Sequence, residues 1–352
     1  MSPAPLPTCP PNSSYLASPE FISTGCHIVS VFMIITSSYS AFLIVRKSTP
    51  TMKSTVPYMI RAHLCTMFCD FTWGILVIPM MFWSVVCGYT LGISKYFINS
   101  KNILMYFGVW LMLAVLAMIA AILHLFEFRH QAVVSNNSKF VMRRPWTRRI
   151  FYFSSYTLFT NFGILEVLTL PSDQDAAKLQ VLQKYPCLPS YFLDDRAFLI
   201  QIDGRTMFNP HMYITCFIVA CFIIFYMSNS FWHLLPKNNP TMSTSTRKLI
   251  TSFYISMCIQ FLIPLNVGYI PNIYWNFSVT IDYYSQEINN ISVVLLTSHC
   301  TLSSIVTIFI YTPYRKFTLD LIFNKILQIN WVKSSVSTVV VSVARSNTNV
   351  IS

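Results

Sequence analysis

Seven long apolar runs alternate with polar segments, near residues 21–45, 57–83, 103–126, 150–170, 209–235, 249–270 and 288–312. A hydrocarbon core about 30 Å thick takes about 20 apolar helical residues to cross, so each run is long enough to be a span. The first ends at Arg46-Lys47, the third at Glu127-Phe128-Arg129-His130 and the seventh at Thr312-Pro313-Tyr314-Arg315. The pattern predicts an all-α membrane protein, a seven-transmembrane helix bundle over 21–314, with its ends on opposite sides of the bilayer. Residues 1–20 have neither a basic start nor an apolar stretch. They read as a disordered arm rather than a signal peptide, with the first span as an uncleaved anchor. Past Pro313, Leu319, Ile322, Phe323, Ile326 and Leu327 fall at helical spacing, with Lys316, Asp320, Asn324 and Gln328 largely opposite. That predicts an interfacial helix over 315–333. The Ser/Thr-rich 334–352 reads as a disordered tail.

Charge orients the bundle. Of 352 residues only 10% are charged, against about 25% in soluble domains. The net charge is +12. Seventeen Lys and Arg lie in the loops after spans one, three and five and in the tail; six lie in the other loops. Positive loops stay cytoplasmic, so the N-terminus is expected outside and the C-terminus inside. The basic excess is thus a topology signal. No basic face stands apart from it, which argues against nucleic acid as a partner.

Polar groups within the runs are costly in lipid and point to function. Asp70 lies near mid-depth and must face the bundle interior or be neutral. It is either a hydrogen-bonded packing site or an ion- or proton-linked switch. Glu127 and Arg129 are either an ordinary interfacial cap or a charge pair that keeps the cytoplasmic helix ends closed. Pro264 frees a backbone carbonyl in the sixth run and predicts a kink. Tyr106, Trp110, Tyr269 and Tyr283 lie in the exterior halves, where they either line a ligand pocket or form an interfacial aromatic belt.

Cys9, Cys87 and Cys187 fall on the exterior, oxidising side. Cys87–Cys187 is the expected disulfide, with Cys9 as rival partner. The sequons at Asn12 and Asn276 fall on segments expected outside and are candidate glycan sites. No zincin, phosphate-loop or nucleophile-elbow motif occurs, nor any Cys-x-x-Cys, and the seventh run holds no lysine for a Schiff base. Hence no enzyme activity, metal or cofactor is expected.

Several short motifs in order carry a resemblance. They are Thr49-Pro50-Thr51-Met52-Lys53-Ser54, then Asp70 and Pro79, Gly88-Tyr89 and Leu91-Gly92, and Pro186-Cys187-Leu188-Pro189. Ser243 and Thr246, Ile259-Gln260, Pro264, Tyr283-Tyr284, Gln286 and Asn289-Asn290 follow. His299, Ser303-Ser304-Ile305-Val306 and Pro313-Tyr314-Arg315 complete the series. Over roughly 15–330 the chain resembles the nematode serpentine chemoreceptors of class H, in the seven-transmembrane G-protein-coupled receptor superfamily. It departs from them at Phe128, where a polar residue is usual, and at Cys300, where glycine is common.

The resemblance implies a small-molecule or peptide ligand from the environment, a heterotrimeric G protein partner, and a place in the plasma membrane of a sensory-neuron cilium. It implies G-protein coupling through Glu127, Arg129, Tyr314 and Arg315, with Arg129 released from Glu127 on activation. Asp70, Pro264 and Pro313 would serve as conformational switches. A ligand-gated channel or a seven-span transporter is the alternative class.

Overall fold

A computed structural model describes residues 14–97, 101–134, 142, 144–168, 170–203, 205, 208–235 and 243–326. Among them, five helices are long and apolar enough to cross a membrane: Pro19–Arg46, Gly108–Gln131, Tyr213–Leu234, Tyr254–Ile281 and Gln286–Ile310. They correspond to the first, third, fifth, sixth and seventh apolar runs. Cys9, Asn12 and the tail 334–352 lie outside the described residues.

Local chemistry sets the ends of these helices. Helix α1 (Pro19–Arg46) starts with Ser18 accepting from the Phe21 amide at 3.1 Å, Pro19 in the first turn and Glu20 beside it. Cap, proline and acidic residue all favour a helix start at this point.

The second run is only partly helical. Helix α2 covers Val56–Phe71, widens into a π turn over Thr72–Val77, and stops at Ile78, whose φ is +41°. The chain is close-packed at this turn: Ser30 Oγ donates to the Gly74 carbonyl, and a Cβ on Gly74 would lie 2.6 Å from Ser30 Oγ. Residues 79–83, expected to finish a span, instead begin a sheet, because Pro79 offers no amide to continue a helix.

That sheet was not foreseen. Strands β1 (Pro79–Met81), β2 (Val86–Thr90) and β3 (Ala197–Gln201) are antiparallel in the order β1-β2-β3, with Met80 opposite Tyr89 and Gly88 opposite Phe198. An open strand edge leaves backbone groups unpaired. Here the Gln174 side chain stands in for a strand, accepting from Leu199 N and donating to Leu199 O, each at 2.9 Å.

The bundle continues with α3 (Lys101–Val133), α4 (Pro145–Leu168) and α5 (Gln174–Lys184), the last lying against β3. Although 24 residues long, α4 carries Arg148, Arg149 and Glu166 and is not one of the five apolar helices. Helix α6 (Phe208–Leu234) follows. The sixth run is longer than expected: α7 (Thr244–Pro264), a π turn at Leu265–Tyr269 and α8 (Ile270–Ile281) follow one another directly. Pro264 sits where the α-helix yields to the wide turn, as a residue without an amide requires. The seventh run divides at Ser298 into α9 (Gln286–Thr297) and α10 (His299–Ile310), and α11 (Thr312–Asp320) begins with Pro313 in its first turn.

Candidate functional site

Beneath the sheet lies a cavity of about 410 Å³, bounded by α2 and its π turn, α3, α6, the α7–α8 rod and the seventh run. This is within the range of small-molecule sites. Its sheet end is aromatic. Trp275 stacks on Trp73 (6.1 Å, 10°) and on Trp83 (5.6 Å, 23°).

The roof is fastened to α9 by side-chain amides. Asn289 donates to the Trp83 carbonyl at 2.8 Å and Gln286 to the Met81 carbonyl at 3.1 Å, while Asn290 donates to the Leu16 carbonyl at 2.9 Å. Asp282, left-handed at the end of α8, receives Lys184 Nζ at 3.2 Å, Arg205 Nη1 at 3.1 Å and the Tyr185 hydroxyl. Partial burial alone would raise its pKa. The Tyr185 and Lys184 hydrogen bonds and the nearby cations outweigh that and hold it below the usual carboxylate value.

Asp70 is 3% exposed and lines the cavity. Its Oδ2 accepts from the Cys300 amide at 2.6 Å. A carboxylate of the second run thereby caps the first turn of α10, just past the break at Ser298. His299, beside it, is also buried and lines the cavity.

Of the four aromatic residues expected near a ligand, only Tyr269 lines the cavity. Tyr106, Trp110 and Tyr283 are 65%, 47% and 44% exposed. Helix α3 turns Gly108, Leu111, Met112 and Val115 inward. At 100° per residue, Tyr106 and Trp110 lie roughly opposite that face.

Two further expectations are corrected. Cys87 is a free thiol buried in the central strand, and burial pushes its pKa up to about 12. Cys187 is disulfide-bonded, to a partner outside the described residues. The pair Cys87–Cys187 is therefore not formed. Asn276 is not on an exterior loop either. It lies within α8, 3% exposed, with its amide donated to the Asn272 carbonyl at 2.8 Å, and has no room for a glycan.

At the opposite end of the bundle, Glu127 and Arg129 do not pair with each other. Residues two apart on a helix point to different faces. Buried Glu127 turns to α4, where its Oε2 accepts from Arg148 at 3.0 Å and from the Tyr152 hydroxyl at 2.6 Å. Phe128 stacks on Tyr58 at 4.1 Å, and the Arg148 guanidinium lies over Phe128 at 5.5 Å.

Arg129 turns instead to the sixth and seventh runs. It donates to the Tyr311 hydroxyl and, at 3.4 Å, to Gln260 Oε1. Tyr311 also donates to Gln260 Oε1 at 3.2 Å, and Gln260 Nε2 donates to Thr307 at 3.0 Å. One clasp thus joins α3, α7 and the end of α10.

Tyr314 is wholly buried and shares a 2.6 Å hydrogen bond with Ser48, whereas Arg315 is exposed and caps the Phe309 carbonyl at 3.1 Å. A second cavity of about 70 Å³ separates the clasp from the larger one, and Phe261, Pro264 and His299 line both.

Sequence reading assigns no role to Gln260, named only within a motif, and misses Tyr311 of the clasp, Arg148 and Tyr152 around Glu127, and the three stacked tryptophans. The available signal was a glutamine inside an apolar run, since amides there seek partners.

The family model described as serpentine type 7TM GPCR chemoreceptor Srh matches residues 17–324. The chain is 21% identical over 322 residues to serpentine receptor class H-72 of Caenorhabditis elegans, covering 88% of each chain. The departures at Phe128 and Cys300 thus fall inside a match that runs nearly end to end, and the chain belongs to the serpentine 7TM chemoreceptor family Srh.

Proposed function

We propose that this protein is a chemosensory receptor of the plasma membrane that binds a small molecule beneath its sheet and activates a heterotrimeric G protein at the opposite end. In this reading α2 and α4 complete seven spans, the N-terminus and the sheet lie outside, and the Arg129 end lies in the cytoplasm. The charge asymmetry of the loops supports that orientation. A sensory cilium is the site that fits an exterior chemical signal.

The observation that carries the reading is continuity along one helix. Pro264 and the π turn line the ligand-sized cavity, and Gln260, one helical turn before Pro264, is part of the clasp on Arg129. A ligand pressing on the π turn favours a state in which α7 moves and the clasp opens, which shifts the population toward a G-protein-binding form. Arg129 is then the residue freed to meet the partner. Tyr314 and Arg315 anchor the base of the seventh run, and Asp70 holds α10 to α2 while α7 moves. The basic stretch Arg143–Arg149 attracts anionic lipid and the partner alike.

The test is a chemical screen in reporter cells with and without a co-expressed G protein. A response that needs the G protein supports the receptor reading. A ligand-evoked current or uptake without it indicates a channel or transporter.

A further inference from the structure

We infer that the ligand is a neutral, predominantly hydrocarbon molecule, and that it enters from the bilayer through a lateral gap between α6 and the Leu265–Tyr269 turn. The inference rests on reading the cavity as the ligand site. It adds the ligand's class and its route.

The class follows from the wall. Among the described residues no lysine or arginine lines the cavity; beside the buried His299 its acidic side chain is Asp70, which already accepts from the Cys300 amide. An anionic ligand would be buried among these residues without a lysine or arginine counter-charge, at a cost of several kcal/mol or more. Aliphatic, aromatic and sulfur-bearing side chains dominate the lining and offer apolar contact to an uncharged guest. At the roughly 30 Å³ that one water occupies in the liquid, 410 Å³ corresponds to about a dozen non-hydrogen atoms.

The route follows from what is closed. From the sheet end, among the described residues, Met81, Trp83, Tyr89 and Thr90 face the cavity and are buried, and Gly88, Phe198 and Ile200 beside them are half-buried. The amides of Gln286 and Asn289 fix this roof, and Lys184 and Arg205 join its supports to Asp282. The wall is different toward lipid. Helix α6 touches the α7–α8 rod on either side of a gap: Cys216 Sγ donates to Asn272 at 3.4 Å, and the Tyr254 hydroxyl donates to the Met227 carbonyl at 3.0 Å. Between those contacts Ala220 and Ile224 face the cavity from α6, and Leu265 and Gly268 from the turn.

Ile224 belongs to that wall yet is 63% exposed, so its side chain stands at an opening on the lipid-facing surface. At Gly268 the nearest atom to an added Cβ is Leu296 Cδ1, 3.9 Å away. The wide turn after Pro264 therefore leaves space at the rim. A hydrocarbon guest partitions into the bilayer first, which supplies it at this opening.

The experiment uses the purified full chain in phosphatidylcholine nanodiscs and 1-decanol carrying a mid-chain diazirine. It is flashed at set times after mixing and the labelled peptides are mapped. Label is expected on cavity residues such as Met112 and Trp275, suppressed by excess 1-decanol and not by decanoate. In Ala220→Phe, the ratio of early to late labelling falls about tenfold, equal to about 1.4 kcal/mol of barrier, and a melting temperature near wild type reports a folded receptor. Gly268→Leu lowers late labelling by filling the cavity. Asp282→Asn, at the roof, leaves the early rate within about twofold.

Absence of cavity label, equal competition by decanoate, or an unchanged early rate in Ala220→Phe with a faster one in Asp282→Asn would overturn the inference. Labelling needs no G protein. A receptor that labels as described but fails to signal overturns only the signalling role, and one that signals but does not label overturns only this inference.

Discussion

Arg129 donates to the Tyr311 hydroxyl, 182 positions further along the chain, and not to Glu127 two positions before it. The acidic–arginine pair at the end of the third run therefore serves two separate contacts. Glu127 holds α3 to α4, and Arg129 holds α3 to the sixth and seventh runs.

Removing the acceptor alone separates these roles. Tyr311→Phe keeps the ring beside Arg129 and deletes the charge-assisted hydrogen bond from Arg129, worth about 1.5–3 kcal/mol, together with the hydroxyl's own bond to Gln260. Signalling without ligand should rise by about tenfold or more at equal surface expression. Basal signalling at the wild-type level would show that the clasp does not restrain the receptor.

Arg148→Ala leaves Glu127 buried with Tyr152 as its remaining partner. Leaving a buried acceptor short of a partner costs about 1–3 kcal/mol. The melting temperature in detergent should fall for Arg148→Ala and stay near wild type for Arg149→Ala, whose side chain is exposed. Equal melting of the two variants would contradict the Glu127–Arg148 bridge.

The disulfide prediction is discrete. Since Cys87 is free and Cys187 is bonded, Cys87→Ala should leave the bridge at Cys187 intact in non-reducing peptide maps. Loss of that bridge on Cys87 replacement would restore the pairing rejected above.

The roof clamp has a pH signature. The Asp282 carboxyl has a pKa below its ordinary 3.8, so the unfolded chain takes up its proton first as pH falls. The clamp's contribution is complete above that ordinary value and is lost as pH drops through the lower folded one. Asp282→Asn should therefore melt below wild type at neutral pH, with the gap closing only under strongly acidic conditions. A gap that closes between pH 6 and 5 would assign the effect to another group.

How far the sequence disclosed this architecture depends on the range of each interaction. Five apolar runs became membrane-length helices because length and hydropathy are local properties. The second run misled at Pro79–Trp83, where a buried strand and the end of a span share one apolar composition; the proline was the only local hint. Asp70 faces inward, one of the two outcomes that its depth allowed a carboxyl. Its partner at Cys300 lies 230 residues away and no spacing rule reaches it. The same holds for Gln260, Tyr311 and the stacked tryptophans, which meet only after the helices pack. For Tyr106 and Trp110 the choice between pocket and belt needed the rotation of the helix, which depth along it does not give. The inward face of α3 was legible in the small Gly108, four residues before Met112.

The central claim is that a ligand in the tryptophan-roofed cavity opens the Arg129 clasp through α7. It is tested most directly by dose–response curves for wild type, Gly268→Leu and Arg129→Ala in reporter cells with and without a co-expressed G protein. The account predicts a wild-type response only with the G protein, a curve shifted to higher ligand concentration for Gly268→Leu, and no response for Arg129→Ala at undiminished surface expression. Wild-type-like signalling from Arg129→Ala, or a response that persists without the G protein, would contradict it.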